Sequence, residues 1–315
     1  KILPMSLRTQ AHEIIRTWAF FTIVKSLYHT GKIPWNDIMI SGFVLAKKGE
    51  KISKSKNNGN LSPKLIIENH SADVIRYWAA NSRLGTDTFF SIDELGIAKR
   101  FITKLWNASK FAITHLQDIN LDVELDLLPV DRWIMERCKK TTIDAAKLLN
   151  EYEIGSARHE IDDFFWKDFC DYYLEIVKDR LYKPEIHGYK ERQSAQYALY
   201  YCMLRLLKLY AIYVPHITEY IYQEFFRQHE KCISIHKMQW EDDQSIDNEI
   251  LAFGEKLKET IMQTRKYKSE NSLSMKTEIE EITITTDDKF IEWFKQTTRD
   301  LKACCHTKEI KMVCC

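Results

Sequence analysis

The stretch GEKISKSKNNGN, Gly49 to Asn60, is basic and polar inside a chain whose formal net charge is only +1. Lys51, Lys54 and Lys56 alternate with Ser53 and Ser55, and glycines stand at or near both ends. So few apolar residues cannot make core, and the segment reads as a loop shaped to meet an anion. A lysine run alone is more usually a solvated hairpin, so its neighbours decide. Just before it, DIMISGFVLA (37–46) is a short apolar, β-branched run that predicts one buried strand. In open α/β sheets ligands bind beyond the carboxyl ends of strands, so the loop leaves the strand where a site is built. Just after it, DVIRYWAANSRLGTD (73–87) is apolar enough to anchor it. A phosphate chain needs such parts: ammonium groups neutralise its oxygens, hydroxyls and backbone N–H groups donate to them, and glycines let the loop move. The Walker pattern G-x-x-x-x-G-K-[ST] is absent from the sequence.

Working outward, AHEIIRTWAFFTIVKSLYHTGK (11–32) has helical apolar spacing and stops at Gly31. The first 46 residues therefore predict helix, loop and strand, part of an α/β sheet. On the other side, SPKLIIENHSADVIRYWAANS (62–82) predicts two short helices broken at Asn69–His70, with Ser71 capping the second. DTFFSID (87–93) reads as extended. Ser91 and Glu94 predict a capping box ahead of LGIAKRFITKLWNASKFAITHL (95–116). From Asp131 onward, amphipathic segments at 131–152, 156–182, 189–213 and 216–228, broken at Gly155, Pro184 and Pro215, predict a helical bundle. The aromatics of FFWKDFCDYYL (164–174) fall at helical spacing and read as core. The linker EDDQSIDNE (241–249) leads to a helix at 250–268. RKYKSENSL (265–273) reads as an RNA contact or an interdomain joint. EIEEITITT (278–286) alternates with period two, as a strand does. A helix at 287–303 and the run KEIKMV (308–313) complete a small α/β unit.

A length of 315 residues suggests two or three domains, and 9 Gly with 6 Pro favours a helix-rich body. No run of about 18 apolar residues occurs. KILPMSLRTQ has no apolar leader, and the chain reads as the interior of a longer protein. The eight cysteines form no C-x-x-C, which favours reduced thiols and the cytoplasm. The tail CCHTKEIKMVCC (304–315) fits no usual zinc spacing, so no metal is expected. Residues 1–110 hold 17 Lys/Arg against 8 Asp/Glu, and the remainder holds 29 against 37. The electropositive third points to a phosphate or polyanion partner there.

KISKS (51–55) resembles the KMSKS signature of the class I aminoacyl-tRNA synthetases, with Ile52 in place of Met. MSLRTQAHEIIRTWAFFT, GKIPWNDIMISGFVL, KISKSKNNGN, SADVIRYWAA and FFWKDFCDYYLEIVKDRLY come in the order expected of the family's valyl branch. The resemblance runs from residue 1 to at least 228. The RTW helix is more similar to archaeal-type members than to the usual bacterial ones, and Asn58 stands where the family usually has Gly.

The resemblance implies a mixed, mainly α fold: the C-terminal part of a Rossmann-like catalytic domain (1–63), a stem-contact connecting region (64–95), a helical anticodon-binding domain (96–249) and a small α/β unit (250–315). It implies activation of valine by Mg-bound ATP and transfer of the valyl group to tRNA(Val), by a cytoplasmic monomer with no membrane contact. Lys54 and Lys51 would stabilise charge on the transferring and leaving phosphates, with Ser53 and Ser55 as donors. Glu13, beside His12 and Gln10, would hold the adenosine, and backbone groups from Ser41 through Gly42 to Val44 would face the adenine. Arg100, Lys104, Trp106, Asn107 and Lys110 would meet tRNA, where anticodon bases stack on aromatic faces. None of the ten histidines lies in the family's H-x-G-H context, and its valine pocket and editing domain lie upstream of these motifs. The chain is therefore expected to hold half an active site and to be inactive alone. Isoleucyl, leucyl and methionyl enzymes are the alternatives within the family, although no cysteine-rich zinc module speaks for isoleucyl. A tRNA-binding module without catalysis is the alternative outside it.

Overall fold

The computed structural model describes residues 3–47, 50–51, 63–123, 125–243 and 245–314. The chain forms two compact units, Lys1–Lys104 with Ala145–His159, and Leu105–Asp144 with Glu160–Cys315.

The first unit opens with a strand–helix–strand unit. Strand β1 (Met5–Ala11) passes through a 3-10 turn (His12–Ile14) and a π-helical turn (Ile15–Ala19) into α1 (Phe20–Thr30). Gly31 ends α1 at φ +67°, its N–H bonded to Leu27 O at 2.9 Å. Strand β2 (Trp35–Ser41) returns parallel to β1, in register from Met5↔Trp35 to Ala11↔Ser41. Next comes β3 (Val44–Lys47), antiparallel to β4 (Glu50–Lys51). Then follow α2 (Pro63–Asn69), α3 (Ala72–Ala79) and β5 (Thr88–Phe89), which pairs parallel with β3. Ser71 caps α3 as predicted, its hydroxyl accepting from Val74 N–H at 3.4 Å. Tyr77 of α3 stacks on Phe101 at 4.1 Å, and Arg158 lies over the same Tyr77 ring.

Three expectations need correction here. The opening is strand, helix, strand rather than helix, loop, strand. β1 escaped detection because MSLRTQA is half polar and owes its strand to parallel pairing with a distant segment, which no local pattern records. DIMISGFVLA is also not one buried strand. It breaks at Gly42–Phe43 into β2 and β3, which belong to different sheets, and most of β2 is exposed. The capping box is replaced by other contacts. The Ser91 hydroxyl accepts from Asp93 N–H at 3.2 Å, and Glu94 accepts the Trp78 indole N–H at 2.8 Å.

The second unit is the helical bundle with its terminal α/β module. It holds the later part of α4 (Ile92–His115), the earlier part of α5 (Pro129–Asn150) and the end of α6 (Ile154–Asp163), with α7 (Leu174–Tyr182), the short α8 (Pro184–His187), α9 (Tyr189–Tyr210), α10 (Pro215–Ile221) and α11 (Arg227–Glu230). A π-helical stretch (Phe164–Tyr173) joins α6 to α7, and another (Tyr222–Phe226) joins α10 to α11. Phe164, Phe165, Phe169 and Tyr173 all lose their solvent exposure, so this run is core as predicted. Pro184 and Pro215 open helices, whereas Gly155 lies inside α6. The break before it falls at Tyr152, held at φ +62°. A charged clasp fastens residues 241–243 to α9: Arg205 bonds Asp243 at 2.5 Å and Lys208 bonds Glu241, with Arg205 and Lys208 both buried.

The linker ends where Asp247 caps α12 (Asn248–Glu270), accepting from Glu249 and Ile250 N–H. Then β6 (Ile279–Thr286), α13 (Asp288–Cys305) and β7 (Thr307–Cys314) form a second strand–helix–strand unit, β6 and β7 parallel.

Candidate functional site

Parallel pairing of β1 with β2 brings Ala11 opposite Ser41, so two strand ends finish side by side. His12 is the first residue beyond one end, and Gly42 and Phe43 lie beyond the other. The imidazole of His12 meets the Phe43 ring edge-on at 4.6 Å. Its Nε2 lies 3.3 Å from Asp87 Oδ1, and the same oxygen accepts the Phe43 N–H at 2.8 Å. Thr88 N–H bonds Phe43 O at 2.8 Å, and the Ser41 hydroxyl donates to Gln10 O at 3.4 Å. Residue 42 must be glycine, because a Cβ there would lie 2.0 Å from Thr86 O. That close approach brings Asp87 to the strand end. Gln10 is buried, and neither polar atom of its amide has a hydrogen-bond partner.

The structure thus gathers His12, Ser41, Gly42 and Val44 at one strand-end corner, with exposed Glu13 adjoining His12. Ser41 to Val44 also line a cavity of about 330 Å³ with Ala79, Thr86 and Tyr152. The sequence reading missed Asp87, the residue that ties His12 to Phe43. Its one sequence signal is an acid placed directly before an extended run, in GTDTFF (85–90). Both backbone groups of Phe43 are engaged within the protein, so contact with a purine along this edge falls to its neighbours. Lys51 places its backbone in β4, opposite Leu45. Its side chain, with Ser53, Lys54, Ser55, Lys56 and Asn58, lies outside the described residues.

Arg100, Lys104, Asn107 and Lys110 recur on α4 at the three- and four-residue spacing that makes one helix face. Arg100, Asn107 and Lys110 are exposed and Lys104 is half-buried. Trp106 is 39% exposed and packs 5.8 Å from the half-exposed Tyr220 of α10. Of RKYKSENSL, Lys268 is buried and Arg265 donates to Asp171 O at 2.9 Å, while Lys266 and Tyr267 are exposed. Cys304 and Cys305 end α13 just before β7, and Cys314 stands at the far end of β7, whose eight residues span about 26 Å at 3.3 Å per residue. That separation keeps Cys314 from sharing one centre with Cys304 and Cys305. No described helix is long and apolar enough to cross a membrane.

Residues 1–91 match the family described as tRNA synthetases class I (I, L, M and V), and residues 131–284 match the anticodon-binding domain of tRNA ligase. The valine--tRNA ligase of Ehrlichia ruminantium (strain Welgevonden) is 40% identical over 316 residues, covering 98% of this chain. That of Rickettsia conorii (strain ATCC VR-613 / Malish 7) is 40% identical over 322 residues and covers 99%. The chain spans 38% of the length of each. Among solved structures, methionyl-tRNA synthetase of Mycobacterium tuberculosis bound by methionyl-adenylate superposes with a TM-score of 0.56 at 16% identity, over 68% of this chain and 43% of that one. The LeuRS–tRNA–LeuAMS ternary complex of Agrobacterium radiobacter K84 agnB2 gives 0.55 at 15%, over 79% and 30%. These two likenesses concern the fold. Matched by family at both ends and by valine--tRNA ligases along nearly all its length, this chain belongs to the class I aminoacyl-tRNA synthetases.

Proposed function

We propose that the chain supplies the KISKS half of the ATP site, and the tRNA-reading bundle, of a cytoplasmic, monomeric valine--tRNA ligase. In this reading the carboxylate of valine attacks the α-phosphate of ATP, pyrophosphate leaves, and the valyl group passes to the 2′-hydroxyl of the terminal adenosine of tRNA(Val). Residues 1–63 serve catalysis, 64–95 make the stem-contact connection, 96–249 bind the anticodon and 250–315 form the small terminal α/β unit.

The observation that carries this reading is the pairing of Lys51 with Leu45. Lys51, the first residue of KISKS, thus lies on β4 beside β3, the strand that follows the His12–Phe43–Asp87 corner. Lysines on that loop can then meet phosphates whose adenosine rests by His12, Glu13 and the Ser41–Val44 edge. Lys54 and Lys51 stabilise the charge that develops as the triphosphate breaks, and Ser53 and Ser55 donate to its oxygens. A charge met mainly in the transition state lowers the barrier without tightening ground-state binding much.

Lys54→Ala in the complete enzyme is therefore expected to slow adenylate formation by about 10²–10³, the scale of one preorganised donor. The KM for ATP moves far less, and Lys56→Ala does much less damage. Pre-steady-state formation of valyl-adenylate decides this. A wild-type rate of adenylate formation in Lys54→Ala would mean that this loop is not the catalytic clamp.

A further inference from the structure

The last turn of α13 carries Cys304 and Cys305 as consecutive residues, so two thiols leave neighbouring backbone positions. Cys304 is half-buried and Cys305 is buried. Lys268 lies against the same turn and is itself only 2% exposed. Its ammonium donates to the Cys305 carbonyl at 2.8 Å and to the Met275 carbonyl at 2.9 Å. The Lys268 amine is thus fixed inside the protein beside two thiols, and burial draws its pKa below the ordinary lysine range. The hydrogen bond from Cys304, joined by the charges of Lys268 and Arg265, draws the Cys305 thiol below its ordinary range, while the same hydrogen bond and burial push Cys304 up. One sulfur is prepared as a nucleophile, and its neighbour carries the shared proton.

Among the described residues no three His, Cys, Asp or Glu converge as metal ligands, so a tetrahedral cation that needs more protein ligands is poorly served. Two adjacent sulfurs suit a soft centre that two thiolates complete. We propose that Cys304 and Cys305 form a dithiol trap for trivalent organoarsenicals, with the arsenic bridging both sulfurs. In the capture step two As–S bonds replace the bonds from arsenic to oxygen. The two thiol protons leave with that oxygen as water, arsenic stays trivalent, and no oxidant takes part.

Two other sulfur pairs could compete. Cys138 and Cys202 also neighbour each other, but both lack solvent exposure within the bundle. Cys314 is exposed and precedes Cys315 in sequence, so the test removes that pair. The full chain carrying Cys314→Ser and Cys315→Ser is treated with phenylarsine oxide, challenged with excess glutathione, weighed by intact mass spectrometry and mapped by proteolysis. The expected result is one adduct per chain on the peptide that holds residues 304–305, stable to the monothiol and removed by dimercaptopropanol. Cys304→Ala and Cys305→Ala should each hold the arsenical about 10²-fold more weakly, because the second bond is intramolecular. Cys304 is half-buried, so Cys304→Ala alone carries the test should Cys305→Ala unfold. No adduct on the parent chain, an adduct mapped to Cys138 or Cys202, or full retention in Cys304→Ala would overturn the proposal.

Discussion

Arg180 grips Asp131 through both terminal nitrogens, each 2.9 Å from a carboxylate oxygen, and neither side chain is more than 1% exposed. The Ser194 and Tyr173 hydroxyls donate to the same carboxylate. The pair binds α5 to α7 in the middle of the bundle. Breaking it from one side strands a buried charge, which typically costs 3–5 kcal/mol. Asp131→Asn is therefore expected to lower unfolding stability by about that amount. Replacing both partners with apolar residues of similar volume should cost much less. Urea unfolding followed by circular dichroism at pH 7 separates these outcomes, and equal losses in the single and double variants would contradict the argument.

Asp300 faces the same cluster from α13 under worse terms. Arg180 Nη2 is 3.4 Å away and His187 Nδ1 3.8 Å, yet neither carboxylate oxygen has a hydrogen bond. Burial, reinforced by the charges of Asp131 and Asp179 and opposed by Arg180 and His187, pushes its pKa up to about 6. The folded chain then holds this proton more tightly than the unfolded chain does. Stability is lost as pH rises from about 4 to about 6 and stays level above. Asn cannot titrate, so wild type should lose about 2–3 kcal/mol relative to Asp300→Asn between pH 4 and pH 7. Chemical unfolding of both proteins across that range measures the difference, and parallel curves would show that Asp300 is ionised throughout.

Gly254 places α12 directly on Trp133. A Cβ there would lie 1.9 Å from two atoms of the indole, which is fully buried and has no room to swing away. Gly254→Ala gains a little helix propensity and loses far more to overpacking. We expect a net loss of about 1–3 kcal/mol, read as a lowered urea midpoint with an unchanged m-value. Stability equal to wild type would mean that the indole can shift.

The bundle was legible in the sequence because a helix writes its buried face into consecutive residues. Predicted segments at 131–152 and 189–213 correspond to α5 and α9 within three residues at each end. β6, α13 and β7 followed from period-two and helical spacing for the same reason. The strand-end corner was only half legible. His12 and Ser41 could be nominated, but Asp87 reaches His12 and the Phe43 N–H across 75 and 44 positions of chain, through a close approach at Gly42 that no local pattern encodes. β1 depends likewise on a partner strand some 30 residues away.

Trp106 offers one indole face at the surface beside Tyr220, on the helix that bears Arg100, Lys104 and Lys110. If anticodon bases stack there, Trp106→Ala should weaken tRNA binding by about 1–3 kcal/mol. Affinity should also fall steeply with salt as phosphate contacts release counterions, and Lys104→Ala should flatten that slope. Filter binding with tRNA(Val) and a non-cognate tRNA measures both effects. Unchanged affinity in Trp106→Ala would make the indole a plain surface residue.

The clasp of Arg205 and Lys208 on Asp243 and Glu241 bears on how such a salt titration is interpreted. Mobile ions screen exposed charges within a Debye length, but they reach poorly into a pair whose cations are about 95% sheltered. If tRNA binds the basic face of α4, added salt should therefore strip it well before loosening the strap that leads to the terminal α/β module. Ionic strength thus becomes a selective solvent knob. It erases surface recognition while the scaffold beneath keeps its shape, so a loss of RNA binding below that second threshold reports on recognition alone.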